Sequence, residues 1–198
     1  MRIIGGDFKS RKIYFPKSRL TRPMTDRTKE TVFNILGGLV AGKHVLDLYA
    51  GSGSLGLEAL SRGALHVTFV DRAQWAVPVI YKNLGLLGLQ PKARVLKGDV
   101  LKLIPKLQRE GKLFSLVFVD PPFNQGLVKK TLIKLDASGI LTPFAQIVVG
   151  HSRHEELPTE LQQLRLTRTK RIGQSCLSFF FRMETKRGET KSYISGEL

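Results

Sequence analysis

Cysteine is nearly missing from this chain. Cys176 is the single one in 198 residues, which excludes an internal disulfide framework and a cysteine-rich zinc site. It lies in the apolar run SCLSFFF, where a small core residue is expected rather than a nucleophile. Long hydrophobic runs are also missing, and no stretch approaches the ~18 apolar residues that a membrane span needs. The opening MRIIGGDFKSRK lacks the apolar segment of a secretion signal, so a reduced, cytoplasmic compartment is expected. His44, His66, His151 and His154 show no metal-ligand spacing, and no metal is expected. Acidic residues are the last scarcity: 16 Asp and Glu stand against 32 Lys and Arg, a net charge of +16. An excess of that size points to a polyanionic partner, because each phosphate neutralised releases condensed counterions.

What remains is an ordinary globular composition, 42% hydrophobic, long enough for one domain with a full core. Residues 2–16 read as a short hairpin, RII and KIYF joined by the turn-prone GGDFKS. LTRPMTDRTKETVFNILGGL then reads as a helix, with Thr25 or Asp26 as its N-cap and Gly37-Gly38 loosening its end. From residue 44 short β-branched runs alternate with helical stretches. The runs are HVLDLY, HVTFV, ARVLK, LFSLVFV and AQIVVG; the helices fall near 55–62, 73–87, 100–109 and 126–135. That alternation predicts an α/β fold, a mostly parallel sheet with helices on both faces. LRLTRTKRI, GQS and CLSFFFRM break the rhythm and predict an antiparallel hairpin at one edge. A basic front arm over 1–30, a main domain over 25–183 and a loose tail over 184–198 complete the expected organisation.

The first run opens a glycine loop, DLYAGSGSLGLEALSRGA. Gly51, Gly53 and Gly56 have the G-x-G-x-x-G spacing between a strand and a helix, which lets backbone approach a ligand closely. Nicotinamide and flavin sites share that spacing, and Asp47 discriminates among them. A carboxylate four residues before Gly51 would repel a pyrophosphate and attract an ammonium and a sulfonium, the charge pattern of S-adenosylmethionine. Asp71, closing the next strand, is placed for a ribose hydroxyl pair, and Asp99, after the third, for an adenine amino group. Both precede helices, so an N-cap role competes.

The fourth run ends in Asp120, Pro121, Pro122 and Phe123. An exocyclic amine on a nucleobase is a poor nucleophile because its lone pair is delocalised. Two acceptors gripping its N–H bonds would favour the pyramidal form that attacks a methyl group. Asp120 supplies one acceptor and a carbonyl of the rigid prolines the other, while Phe123 offers a stacking face for an extruded base. An ionised Asp120 is expected at neutral pH.

These motifs resemble those of the class I amino-methyltransferases, and MRIIGG…SRKIYFP…TRPMTDRTKETVFNIL resembles the front segment of the bacterial 16S rRNA (guanine-N2)-methyltransferases. The resemblance covers residues 1–123. It implies a Rossmann-like seven-stranded sheet and S-adenosylmethionine as the methyl donor. Asp47 and the Gly51–Gly56 loop, with Ser52, Gly53 and Gly56, would hold its methionine part, Asp71 the ribose, and Asp99 with Val100 the adenine; Tyr49, Ala50 and Arg72 would complete the cofactor-binding set. Arg22, Pro23, Thr25 and Asp26 would help to close the site, and Asp120 to Phe123 would form the catalytic tetrapeptide. Two positions depart from the pattern. Gly150 and His151 follow the fifth strand where an acidic residue is expected, and Asp71 stands where Glu is common.

The substrate implied is 16S rRNA, within a small-subunit particle or an assembly intermediate, acted on by a monomer. The front segment suits that partner, since its basic residues are interleaved with Phe8, Tyr14 and Phe15. Arg2, Lys9, Arg11, Lys12, Lys17 and Arg19 are its expected RNA-binding residues. Competing readings are a DNA adenine or cytosine amino-methyltransferase, a non-catalytic RNA-binding assembly factor and an NAD-dependent oxidoreductase. The absence of a target-recognition domain disfavours the first, intact Asp47 and Asp120 the second, and Asp47 the third.

Overall fold

The computed structural model describes residues 1–16 and 24–184. Five helices, α1 (Asp26–Leu36), α2 (Ser54–Ser61), α3 (Ala76–Leu87), α4 (Val100–Arg109) and α5 (Leu127–Asp136), alternate with strands β1 (His44–Leu48), β2 (His66–Asp71), β3 (Ala93–Lys97), β4 (Phe114–Val119) and β5 (Leu141–Ser152). β6 (Leu164–Ile172) and β7 (Ser175–Arg182) close the sequence of elements. They form one seven-stranded sheet in the order β3-β2-β1-β4-β5-β7-β6. β1 to β5 are parallel, and β7 inserts antiparallel between β5 and β6.

Side chains alternate between two cores because successive strand residues face opposite ways. Val45, Phe69, Phe118 and Val148 pack under α1, α2 and α3, whereas Leu46, Val70, Val117 and Val149 pack under α4 and α5. The strand order reverses between β1 and β4, and the carboxyl ends of these two strands therefore flank the crevice in which such sheets bind ligands.

Two local expectations change. The N-terminal hairpin is a single bridge, Arg2 opposite Lys12, rather than two strands. Its intervening residues dock on α2 instead: Ile4 N–H donates to Glu58 Oε2 (2.9 Å) and Phe8 N–H to Ser61 Oγ (3.0 Å). The first helix ends at the expected glycines, and of the two N-cap candidates Thr25 takes the position, its side chain accepting from Thr28 N–H. β5 begins at Leu141 rather than 145, because a bulge lets Phe114 pair with Leu141 but Leu116 with Gln146, with Phe144 at φ 59°. The expected loose tail lies, apart from Glu184, outside the described residues.

Two buried polar groups tie distant segments together. Lys29 is fully buried on α1, with its Nζ donating to Arg2 O (2.5 Å) and 3.4 Å from Asp26 Oδ1. Asp136, ending α5, accepts from the backbone N–H groups of Gln162, Gln163 and Leu164 at 2.7–2.8 Å. That carboxylate fixes where β6 starts.

Candidate functional site

The glycine loop turns as its composition requires. Tyr49, Gly51 and Gly53 all have positive φ, at 61°, 55° and 80°, a region L side chains rarely occupy. Gly56 has a different task. A Cβ there would collide with Phe69 and stand 2.8 Å from Val67 Cγ1, so the missing side chain lets α2 press onto β2.

Asp47 lies at the floor of the loop, buried on β1, and its Oδ2 accepts from Gly56 N–H (2.9 Å). Oδ1 has no donor among the described residues. Burial, with the Asp120 and Asp71 carboxylates adding to it and the Gly56 hydrogen bond opposing it, pushes this carboxyl up to about 8. A buried acid with one unused oxygen, beside two other acids, suits a cationic ligand group.

Asp71 holds the loop itself. Its Oδ2 accepts from Gly51 N–H (2.7 Å) and its Oδ1 from Ala73 N–H (2.8 Å). Asp99 is the N-cap of α4, with Oδ1 accepting from Leu101 and Lys102 N–H. Val100 is buried in the core under α4, so only its backbone faces any ligand question. Tyr49 reaches the other way, its hydroxyl 2.7 Å from Thr131 Oγ1 on α5. Ser52 is buried and Arg72 exposed. Arg22, Pro23, Lys17 and Arg19 lie outside the described residues.

Asp120 follows β4, its backbone N–H donating to Leu48 O at the end of β1 (3.4 Å). Its carboxylate lies against Gly150 of β5: a Cβ on that glycine would overlap Oδ1 and stand 3.2 Å from Cγ. Burial pushes this carboxyl up to about 6, above the ordinary range on which the expectation of ready ionisation rested. Pro121 is buried, Phe123 half-buried and Pro122 exposed. The crevice therefore brings Asp47, Asp71 and Asp120 within electrostatic reach of one another. Gly150, noted in the sequence as a departure, is the space that Asp120 fills. His151 points away into the sheet, its ring nitrogens 2.9 Å from Ser152 O and Ser178 Oγ.

One residue that sequence reading missed joins the crevice to the N-terminal arm. Asn83, fully buried on α3, donates to Ser52 O of the glycine loop (3.0 Å) and to Tyr14 O (3.0 Å), and accepts from Tyr14 N–H (2.6 Å). Its signal was an amide in line with Ala76, Ile80 and Leu87 on an otherwise apolar stripe. In the arm, Arg2 is committed to Asp26 (3.0 Å) and Arg11 reaches Leu86 O (3.5 Å). Lys9 and Lys12 are exposed.

The family model described as conserved hypothetical protein 95 matches residues 1–181. The chain belongs to that family. A relative, ribosomal RNA small subunit methyltransferase D of Escherichia coli strain K12, is 39% identical over 174 residues, covering 88% of this chain and 86% of that protein. The protein of the same name from Haemophilus influenzae is 37% identical over 160 residues, covering 80% and 82%. A solved structure from Escherichia coli, yhhF, superposes with a TM-score of 0.82 at 37% identity, over 92% of this chain and 98% of that one. The conserved hypothetical protein 95 chain thus has the Rossmann-like fold that the resemblance implies. Among the described residues no helix is long and apolar enough to cross a membrane, and no three His, Cys, Asp or Glu side chains gather as a metal site.

Proposed function

We propose that this chain transfers a methyl group from S-adenosylmethionine to the exocyclic N2 of a guanine in 16S rRNA, in the cytoplasm and as a monomer. Its being an rRNA methyltransferase follows from its relatives; the nitrogen, the base, the compartment and the monomeric state are the proposal. The observation that carries it is Asp120 held against Gly150 at the carboxyl end of β4, beside the acid-floored glycine loop.

The residues present fit the donor. Asp47 Oδ1 is available to an ammonium or sulfonium, the positive-φ glycines let the loop backbone pass close to a ligand, and Asp71 and Asp99 supply acceptors for hydroxyl and amino groups. Bound, S-adenosylmethionine supplies an electrophilic methyl on a positively charged sulfur. Asp120 accepts one N–H of the target amine, a carbonyl of Pro121 or Pro122 accepts the other, and the amine is steered toward the pyramidal form. As the new N–C bond forms, the nitrogen must lose a proton. A carboxylate at about 6 takes that proton more readily than an ordinary one. Phe123 carries the base, and the basic surface holds the flanking phosphates.

The deciding experiment is mass spectrometry of rRNA from cells lacking the protein, with transfer of labelled methyl groups to 16S rRNA by the purified chain. Loss of one N2-methylguanine is expected. An unchanged N2-methylguanine content, or label entering adenine or cytosine of DNA instead, overturns the assignment.

A further inference from the structure

The outermost strand carries a charge pattern that neither the crevice nor the arm uses. β6 is the free edge of the sheet, and residues 165–171 on it are all exposed. Four of these are basic, Arg165, Arg168, Lys170 and Arg171, and none is acidic.

Strict alternation would send Arg165 to one face of the sheet and Arg168 and Lys170 to the other. The ladder prevents this. Leu166 pairs with Phe180, but Arg168 pairs with Phe179, so two steps along β6 match one along β7. Thr167 is the additional residue, and its hydroxyl secures the bulge by donating to Phe179 O (2.9 Å). Bulges re-aim side chains in this way. Arg165, Arg168 and Lys170 then stand opposite Phe181, Phe179 and Leu177. Thr169 turns to the other face, where it meets Ser178 Oγ at 2.9 Å.

The face gained is the one that bears Asp120. Leu177 and Phe179 share the core of Val148 and Phe118, the residues two places before Gly150 and Asp120. Across the sheet Lys170 pairs with Leu177, and Leu177 with Gly150. Two strand spacings of about 4.8 Å place the Lys170 backbone roughly 10 Å from Gly150. The Arg165 guanidinium is held locally, donating to Leu161 O (2.6 Å) and Leu164 O (3.2 Å). Arg168 and Lys170 make no side-chain hydrogen bond or ion pair among the described residues and are available to a partner.

We propose that Arg168 and Lys170 dock the RNA backbone beside the target nucleotide, on a rail aligned by the Thr167 bulge and separate from the N-terminal arm. The inference rests on the rRNA methyltransferase reading and names the substrate-side contact of that site. A basic edge can also serve only to prevent edge-to-edge pairing, and the test must separate the two.

The test compares R168Q/K170Q with wild type in binding a 16S rRNA transcript, followed by fluorescence anisotropy over a range of salt. S-adenosylmethionine affinity and thermal melting report that the variant is folded. Affinity should fall about tenfold or more at low salt, and the slope of log K against log salt should shrink by about 1.4, two single-strand phosphate contacts. K129Q/K134Q removes the same charge from exposed positions on α5, under which the opposite core packs, and should bind nearly as wild type. T167V should weaken binding in the same direction by a smaller factor. Wild-type affinity and slope in R168Q/K170Q would overturn the proposal. So would self-association of that variant with RNA affinity kept, or an equal loss in the α5 control. Because binding is read, a wild type that binds rRNA without methylating it removes the functional reading alone. A wild type that methylates while R168Q/K170Q binds normally removes only the rail.

Discussion

Gly150 has no side chain where the Asp120 carboxylate needs the room. A Cβ at that position would overlap Oδ1, so the two residues on neighbouring strands β4 and β5 specify each other. Gly150→Ala should displace the carboxylate while leaving the glycine loop untouched. Misplacement of a reacting group by about 1 Å costs on the order of 100-fold in rate. Single-turnover methyl transfer should therefore fall about that far, with S-adenosylmethionine affinity within about threefold of wild type. An alanine variant with normal turnover would show that the contact is incidental.

The pH dependence of cofactor binding follows from Asp47. Its folded-state value of about 8, set first by burial, lies above the ordinary 3.8. The folded protein keeps a proton that the unfolded chain loses between those values. This contribution to stability is full below about 3.8 and is lost as pH rises through about 8. A cation placed beside Asp47 favours the ionised form. S-adenosylmethionine affinity should accordingly rise from pH 6 to about 7.5, with close to one proton released per molecule bound near pH 6. Calorimetry in buffers of different ionisation enthalpy counts that proton; pH-independent binding with none released would contradict the assignment. Asp120, at about 6, should impose a separate rise in the methyl-transfer rate through that pH.

Asn83 is the next prediction. Asn83→Ala leaves Tyr14 N–H, Tyr14 O and Ser52 O without their partner, and each orphaned buried group costs about 1–3 kcal/mol unless water reaches it. A loss of roughly 3 kcal/mol in urea unfolding is expected, together with weaker cofactor binding, because the loop loses its support. Lost stability with unchanged cofactor affinity would confine Asn83 to anchoring the arm.

Lys29 tests the arm from the other side. Lys29→Met keeps the buried stem but removes the ammonium that Arg2 O accepts. A charged hydrogen bond of this kind contributes about 1.5–3 kcal/mol. Hydrogen exchange should show residues 1–5 opening more readily while β1 and β4 keep their protection. Protection equal to wild type at Ile3 and Ile4 would count against the clamp.

The sheet was legible because its chemistry is local. HVLDL, HVTFVD and FSLVFV are short β-branched runs alternating with helical stretches, and that alternation reads as buried parallel strands between helices. Asp47, Asp120 and the glycines were legible for the same reason: their spacing from a strand end places them. Lys29 could not be placed in the core from sequence, since a basic residue reads as surface until its partner, here the Arg2 carbonyl, is known. Asn83 was hidden because its three bonds go to residues 69 and 31 positions away. The bulge at Thr167 was out of reach as well, for register is settled by pairing with β7 and not by β6 itself.

The place of β7 has a consequence for how the enzyme is born. It is the last strand among the described residues, yet it lies inside the sheet, between β5 and β6. A nascent polypeptide that has reached residue 174 therefore still leaves the outer edge of β5 unpaired, including the Gly150 segment against which the Asp120 carboxylate packs. Emergence of residues 175–182 from the ribosome supplies the strand that covers this edge, long after every residue of the glycine loop has been made.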